Sequence, residues 1–289
     1  MRTEFSRRDL MLWAAAATVC SACSRIDSDT SRGELRPAPQ GTTAVASPEM
    51  TPDDGAEIGS RFRGRVPRQW GTHLPGVETA VPAGHEYPTM SLTFDACGGA
   101  NGSLVDVALL DTLRRESIPA TLFLNERWVR DNRQLTRVLA SDPLFQIGNH
   151  GTRHVPLSVN GRAVDGVTGT TNAHEVVKEI LHNQHTLVDL TGTQPQWFRS
   201  GTGYYDDVAI EIAAQLGFGL AGWTVDADSG ATTTPHQIAD AMVDAPDGAI
   251  VRLRMDHPFG GTGAGLKTAI PRLRERGAYF THLPQPSFP

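Results

Sequence analysis

The stretch SLTFDACGG, residues 91–99, carries an alternating apolar run through Leu92 and Phe94 into an aspartate, a lone cysteine and two glycines. Alternation at a period of two is the pattern of a β-strand, and paired glycines end one. Asp95 is thereby set at the end of a buried strand. Further short apolar runs follow as ATLFLN (120–125), LFQIGN (144–149), WFRS (197–200), GLAGWTV (219–225), GAIVRL (248–253) and AYFTHL (278–283). Helical patterns lie between them, near 103–116, 131–141, 174–190, 205–216, 235–245 and 263–276. In 174–190 the residues Val177, Ile180, Leu181, Leu187 and Leu190 fall on one helical stripe and Gly192 follows as a stop. Strands alternating with helices over some 200 residues predict an α/β fold, a mostly parallel sheet covered by helices, either a barrel or a doubly wound sheet. In a barrel the reactive groups gather where strands end and loops begin. No internal repeat is visible, and FGGTGAG (259–265) lacks the lysine and spacing of a phosphate-binding loop.

At 289 residues and 39% hydrophobic composition the chain can bury one large core or two modest ones. The net charge of -6, with no arginine-rich stripe, argues against nucleic acid as a partner. Residues 1–23, MRTEFSRRDLMLWAAAATVCSAC, read as an export signal of twin-arginine type, with Arg7-Arg8 before an apolar run from Leu10 to Val19. That run is about half the ~20 residues a membrane-spanning helix needs. CSAC before Ser24 resembles a lipoprotein cleavage box, which would leave Cys23 as a lipid anchor; cleavage after Ala22 is the alternative. The expected destination is periplasmic, cell-envelope associated or extracellular. With at most Cys23 and Cys97 left after processing, no disulfide framework is expected. Residues 24–85, rich in Ser, Thr, Pro, Gly and charge, read as a low-complexity linker, and the folded domain as 86–289.

His150 and His154 stand in IGNHGTRH (147–154), at the end of the third strand. The H-x-x-x-H spacing lets both imidazoles face one point, as a metal requires; a pair of ordinary surface histidines is the plainer alternative. Together with Asp95, two strand ends bring a carboxylate and two imidazoles to one rim.

TFDACGG (93–99), NHGTRH (149–154), WFRSGTGYY (197–205), VDADSGAT (225–232) and GAIVRLRMDHP (248–258) occur in the order and approximate spacing of five motifs of the NodB-type polysaccharide deacetylases, carbohydrate esterase family four, which residues 88–289 resemble. The resemblance implies a distorted (β/α) barrel and a divalent metal, commonly zinc. It also implies hydrolysis of N-acetyl groups on an amino-sugar polysaccharide such as peptidoglycan or chitin. By the same resemblance Asp95 is the general base, His150 and His154 are metal ligands, and Arg199 holds the base ionised. The backbone near Thr202 then supplies the oxyanion donor, and Asp226 or Asp228 is the carboxylate that orients the acid.

Two positions depart from that pattern. Ala96 stands where the family has a second, metal-binding aspartate, so that either water or another residue such as Cys97 completes the site or the ion is held weakly. Arg254 stands where the family has its acid histidine, and an arginine cannot release its proton near neutral pH. His257 is then the nearest substitute acid. Ile250, Arg252 and Arg254 share one strand face, and a buried arginine demands an acidic partner, so the expectation is an ion pair from Arg254 to Asp228, Asp226 or Asp95. The alternative function is a glycan-binding domain with weakened or lost turnover. Trp197, Tyr204, Tyr205 and Trp223 are candidates for stacking on sugar rings.

Overall fold

The computed structural model describes residues 52–84, 86–99, 102–229 and 233–287. The export signal, the Cys23 anchor and the linker up to residue 51 lie outside the described residues. In chain order the elements are α1 (Pro52–Arg61), β1 (Trp70–Gly71), β2 (Val77–Glu78), β3 (Thr89–Ala96), α2 (Val107–Arg115), β4 (Ala120–Leu124), α3 (Glu126–Asp131), α4 (Arg133–Ala140) and β5 (Phe145–Asn149). A small hairpin, β6 (Ala163–Val164) and β7 (Val167–Thr168), precedes α5 (Ala173–Thr191), β8 (Trp197–Phe198), β9 (Tyr205–Asp206), α6 (Asp207–Gln215) and β10 (Gly219–Ala221). The chain then forms β11 (Val225–Asp226), α7 (Pro235–Val243), β12 (Ala249–Arg254), α8 (Thr262–Glu275) and β13 (Tyr279–Phe280).

The main sheet runs in the order β11-β12-β3-β4-β5-β8-β10-β2, with β13 also on β3, and its pairs are all parallel. This curled parallel sheet is the distorted (β/α) barrel expected from the motifs. Helices cover it, so the central strands are buried on both faces; all five residues of β4 are buried, the run of apolar side chains such a strand needs. One apolar cluster joins β3, β4 and β12 to α2, α7 and α8; a second packs α1, α5 and α6 against Phe198 and Leu220. No described helix is long and apolar enough to cross a membrane.

Register aligns the strand ends that matter. Arg254 of β12 pairs with Asp95 of β3, and Asp95 with Phe123 of β4. Leu124 pairs with Asn149 of β5, and Asn149 with Phe198 of β8. The residues that follow, Cys97, His150 and Arg199, therefore emerge on one rim.

The reading of 24–85 as a structureless linker does not hold over its second half. Pro52–Arg61 is helical and buries Ile58 and Phe62 against α5 and α6, while β1 pairs with β9 and β2 with β10. The reason is size. A ten-residue helix with two glycines and strands of two residues leave too few apolar positions for any period to register.

Candidate active site

Asp95 is 1% exposed at the end of β3, and both of its carboxylate oxygens take a guanidinium. Arg199 Nη1 donates to Oδ1 at 2.8 Å and Arg252 Nε donates to Oδ2 at 3.0 Å. Burial pushes this carboxyl up, but Arg199, with Arg252 behind it, more than offsets that and holds Asp95 well below the usual carboxylate range. Arg199 is fully buried and spends its other donors on Thr93 Oγ1 and the carbonyls of Ala221 and Gly222. Its guanidinium stacks over Phe123 with 4.2 Å to the ring centroid, which fixes it in one place.

His150 donates from Nδ1 to the Arg199 carbonyl at 2.8 Å, and this bond sets the tautomer that leaves Nε2 with its lone pair free. Nε2 stands 3.9 Å from Cys97 Sγ. The His154 ring lies edge-on to His150, 4.9 Å between centroids, and its buried Nε2 has no hydrogen-bond partner. One ligand atom from each of Cys97, His150 and His154 falls within 4.8 Å of the others. Burial lowers both imidazoles, His154 to about 2, so both are neutral and able to ligate. Burial, helped by Asp256, pushes the Cys97 thiol far up, so an ion must displace its proton. An orphaned buried imidazole nitrogen beside a thiol and a second free imidazole nitrogen is a donor set that fits a zinc-like cation. Ala96 is buried in the apolar cluster of Leu92 and Phe94 and offers no ligand.

The remaining predicted residues take different places. Arg254 does not pair with Asp95, Asp226 or Asp228. It approaches Cys97 Sγ at 3.8 Å and Asp256 Oδ1 at 3.7 Å, while Arg252, one step back on the same face, bridges Asp95 and Asp226 Oδ2, the latter at 3.0 Å. Long side chains lean along a strand, so Arg252 reaches the carboxylates and Arg254 overshoots them. Asp228 is 6% exposed and accepts from Thr262 Oγ1 at the start of α8; it faces neither Arg254 nor a histidine. His257 lies near the rim with its side chain 34% exposed and Nε2 3.4 Å from Asp256 Oδ1. Trp197 and Tyr205, 1% and 0% exposed, are core residues and present no face to a sugar. Tyr204 stacks on Trp70 at 5.6 Å between centroids, and Trp223 is covered by Arg252 at 4.6 Å.

Sequence reasoning missed Asp256, which is fully buried and accepts the Cys97 N–H at 2.7 Å. It also missed Arg127, whose Nη2 donates to the Cys97 carbonyl at 3.0 Å. Asp256 stood inside the quoted GAIVRLRMDHP motif, where a carboxylate two residues past the rim arginine was a readable signal; Arg127, in a helix after β4, offered none.

Fold and site together define a hydrolase-type rim on a parallel (β/α) sheet, with a carboxylate fixed by arginine beside a cluster of soft and imidazole ligands. The sequence profile for polysaccharide deacetylases matches residues 83–221. A peptidoglycan-N-acetylglucosamine deacetylase of Listeria monocytogenes is 27% identical over 204 residues, 70% of this chain and 40% of that protein. A chitooligosaccharide deacetylase of Sinorhizobium fredii is 26% identical over 225 residues, 73% of this chain and 98% of that protein. Among solved structures, a mutant of a CE4 family pseudoenzyme with restored enzymatic activity superposes with a TM-score of 0.56 at 25% identity, covering 68% of this chain and 66% of that one. The matched region spans half or less of the Listeria relative's length. Over residues 83–221 this chain is similar to the polysaccharide deacetylase family, and its fold is that of the family 4 carbohydrate esterases.

Proposed function

We propose that this protein is an exported, metal-dependent hydrolase that removes N-acetyl groups from an amino-sugar polysaccharide of peptidoglycan or chitin type. The observation that carries the reading is the convergence of Cys97, His150 and His154 ligand atoms within 4.8 Å on the rim that also holds the buried, arginine-fixed Asp95. A divalent ion bound there supplies Lewis-acid polarisation of the acetyl carbonyl and a more acidic water. Asp95 takes the proton from the attacking water as its oxygen bonds to the acetyl carbon, and Arg199 keeps that carboxylate ionised and aimed. The backbone at Thr202 donates to the developing oxyanion. The carbon–nitrogen bond then breaks, acetate leaves, and the amine receives its proton. His257, at the rim beside Asp256, is the donor assigned to that last step in place of the histidine that Arg254 replaces.

A second reading, a glycan-binding domain with weakened or lost turnover, is favoured by one observation: neither oxygen of Asp95 is free, since Arg252 occupies the one that Arg199 leaves. Acetate release from N-acetylglucosamine oligomers with added zinc separates the two. Wild type should release acetate and Asp95→Asn should be slower by about 10²–10⁴-fold, the usual worth of acid–base assistance. Equal rates would remove Asp95 as the base. No release from either protein, with the oligomers still bound, would establish the second reading.

A further inference from the structure

The two imidazoles sit on a loop with no regular secondary structure, and what holds that loop is a carboxylate from α5. Glu179 is 2% exposed. Its Oε1 accepts three successive backbone N–H groups, from Thr152 at 3.0 Å, Arg153 at 2.9 Å and His154 at 3.1 Å. Its Oε2 accepts Arg153 Nε at 3.2 Å, and its own carbonyl accepts Thr152 Oγ1 at 3.0 Å. His154 is held at φ +65, a left-handed conformation that a side-chain-bearing residue adopts only when its surroundings impose it. Gly151 is also left-handed, at φ +76, and a Cβ there would come within 2.7 Å of Glu179 Oε1. The close approach of loop and carboxylate thus depends on that glycine. On the other side, Asn125 Nδ2 donates to the carbonyls of His150 and Gly151 at 2.9 and 2.7 Å. The His150 end is pinned from β4, while the His154 end is pinned by Glu179.

We infer that Glu179 is a positioning residue for the cation site: it fixes the strained His154 backbone so that a ring nitrogen of His154 stays within reach of Cys97 Sγ and a His150 nitrogen. The inference rests on the metal reading proposed above. Loss of such an outer partner typically costs 10–100-fold in metal affinity. The mechanism is preorganisation, because a loop that is free to relax His154 out of its left-handed conformation must be reordered each time an ion binds.

The test is zinc affinity by chelator competition on the purified protein, read beside the thermal unfolding midpoint of the metal-free form. Glu179→Ala is expected to bind zinc ~10–100-fold more weakly than wild type. Glu179→Gln, which keeps an acceptor oxygen for the three N–H groups, should recover most of that loss. Gly151→Ala, which displaces the carboxylate without removing it, provides the same reading if Glu179→Ala fails to fold, and should weaken zinc comparably. Folded variants that bind zinc within about twofold of wild type would overturn the inference and leave the metal reading standing. A wild-type protein that binds no zinc would overturn both.

Discussion

The most consequential residue is Arg252. It places a guanidinium on the Asp95 oxygen that Arg199 leaves, and on its far side it stacks on Trp223 and pairs with Asp226. Removing it alone frees the base but leaves the chain without a titratable group where Arg254 stands. The double variant Arg252→Leu with Arg254→His is expected to raise acetate release from N-acetylglucosamine oligomers by up to ~10²–10⁴-fold, and a steady-state assay with added zinc reads it directly. A rate no higher than wild type would show that Arg252 does not compete for the base. Cys97 gives a second outcome. Its thiol is pushed far up by burial and is protonated near neutral pH, whereas both imidazoles are lowered and already neutral. Zinc uptake should therefore expel one proton, and affinity should climb about tenfold per pH unit between about pH 6.5 and 8. Cys97→Ser should lower affinity and flatten that slope. Asp95, His150, His154 and Arg199 were legible in the sequence because each lies in a short motif at or just past a strand end. The arginine pairing was not, because the alternating pattern sets Arg252 and Arg254 on one face without saying how far each side chain leans along the strand.

At the scale of elements, the strands buried on both faces and the amphipathic α5 could be read from the chain, since their apolar spacing is dictated by what covers them. Helix α5 is also bounded by readable signals, Asn172 accepting the Glu175 N–H at its start and Gly192 at its end. Helix α1 could not be read. Its contact with α5 is made by glycine as much as by apolar side chains, and a Cβ at Gly55 would lie 2.7 Å from Leu181 Cδ1. Composition counts that glycine as linker; packing uses it as a recess. Gly55→Val is expected to cost about 1–3 kcal/mol in urea unfolding through overpacking. Glu57→Ala, which removes only the exposed pair with Arg61, should change stability by less than about 1 kcal/mol. Equal effects from both would mean that α1 is not seated on α5.

For the whole molecule, the important boundary is the one at the N-terminal side. The family match begins at residue 83, yet α1 and β2 precede it and contribute Ile58 and Val77 to the second apolar cluster. A protein begun at residue 83 would expose Val177 and Leu181 of α5, and should unfold at lower temperature than one begun at residue 47. Calorimetry of the two fragments checks this, and equal midpoints would reduce the segment to decoration. One further result follows from β2. Val77 and Glu78 are the last rung of the sheet beside β10. With that rung gone, Leu220 and Ala221 would present bare amides and carbonyls to any neighbouring molecule, and sheets with such open margins recruit one another. Two residues at the sheet margin should thus act as a stopper against polymerisation, and light scattering of the shorter fragment is where their loss should first be seen.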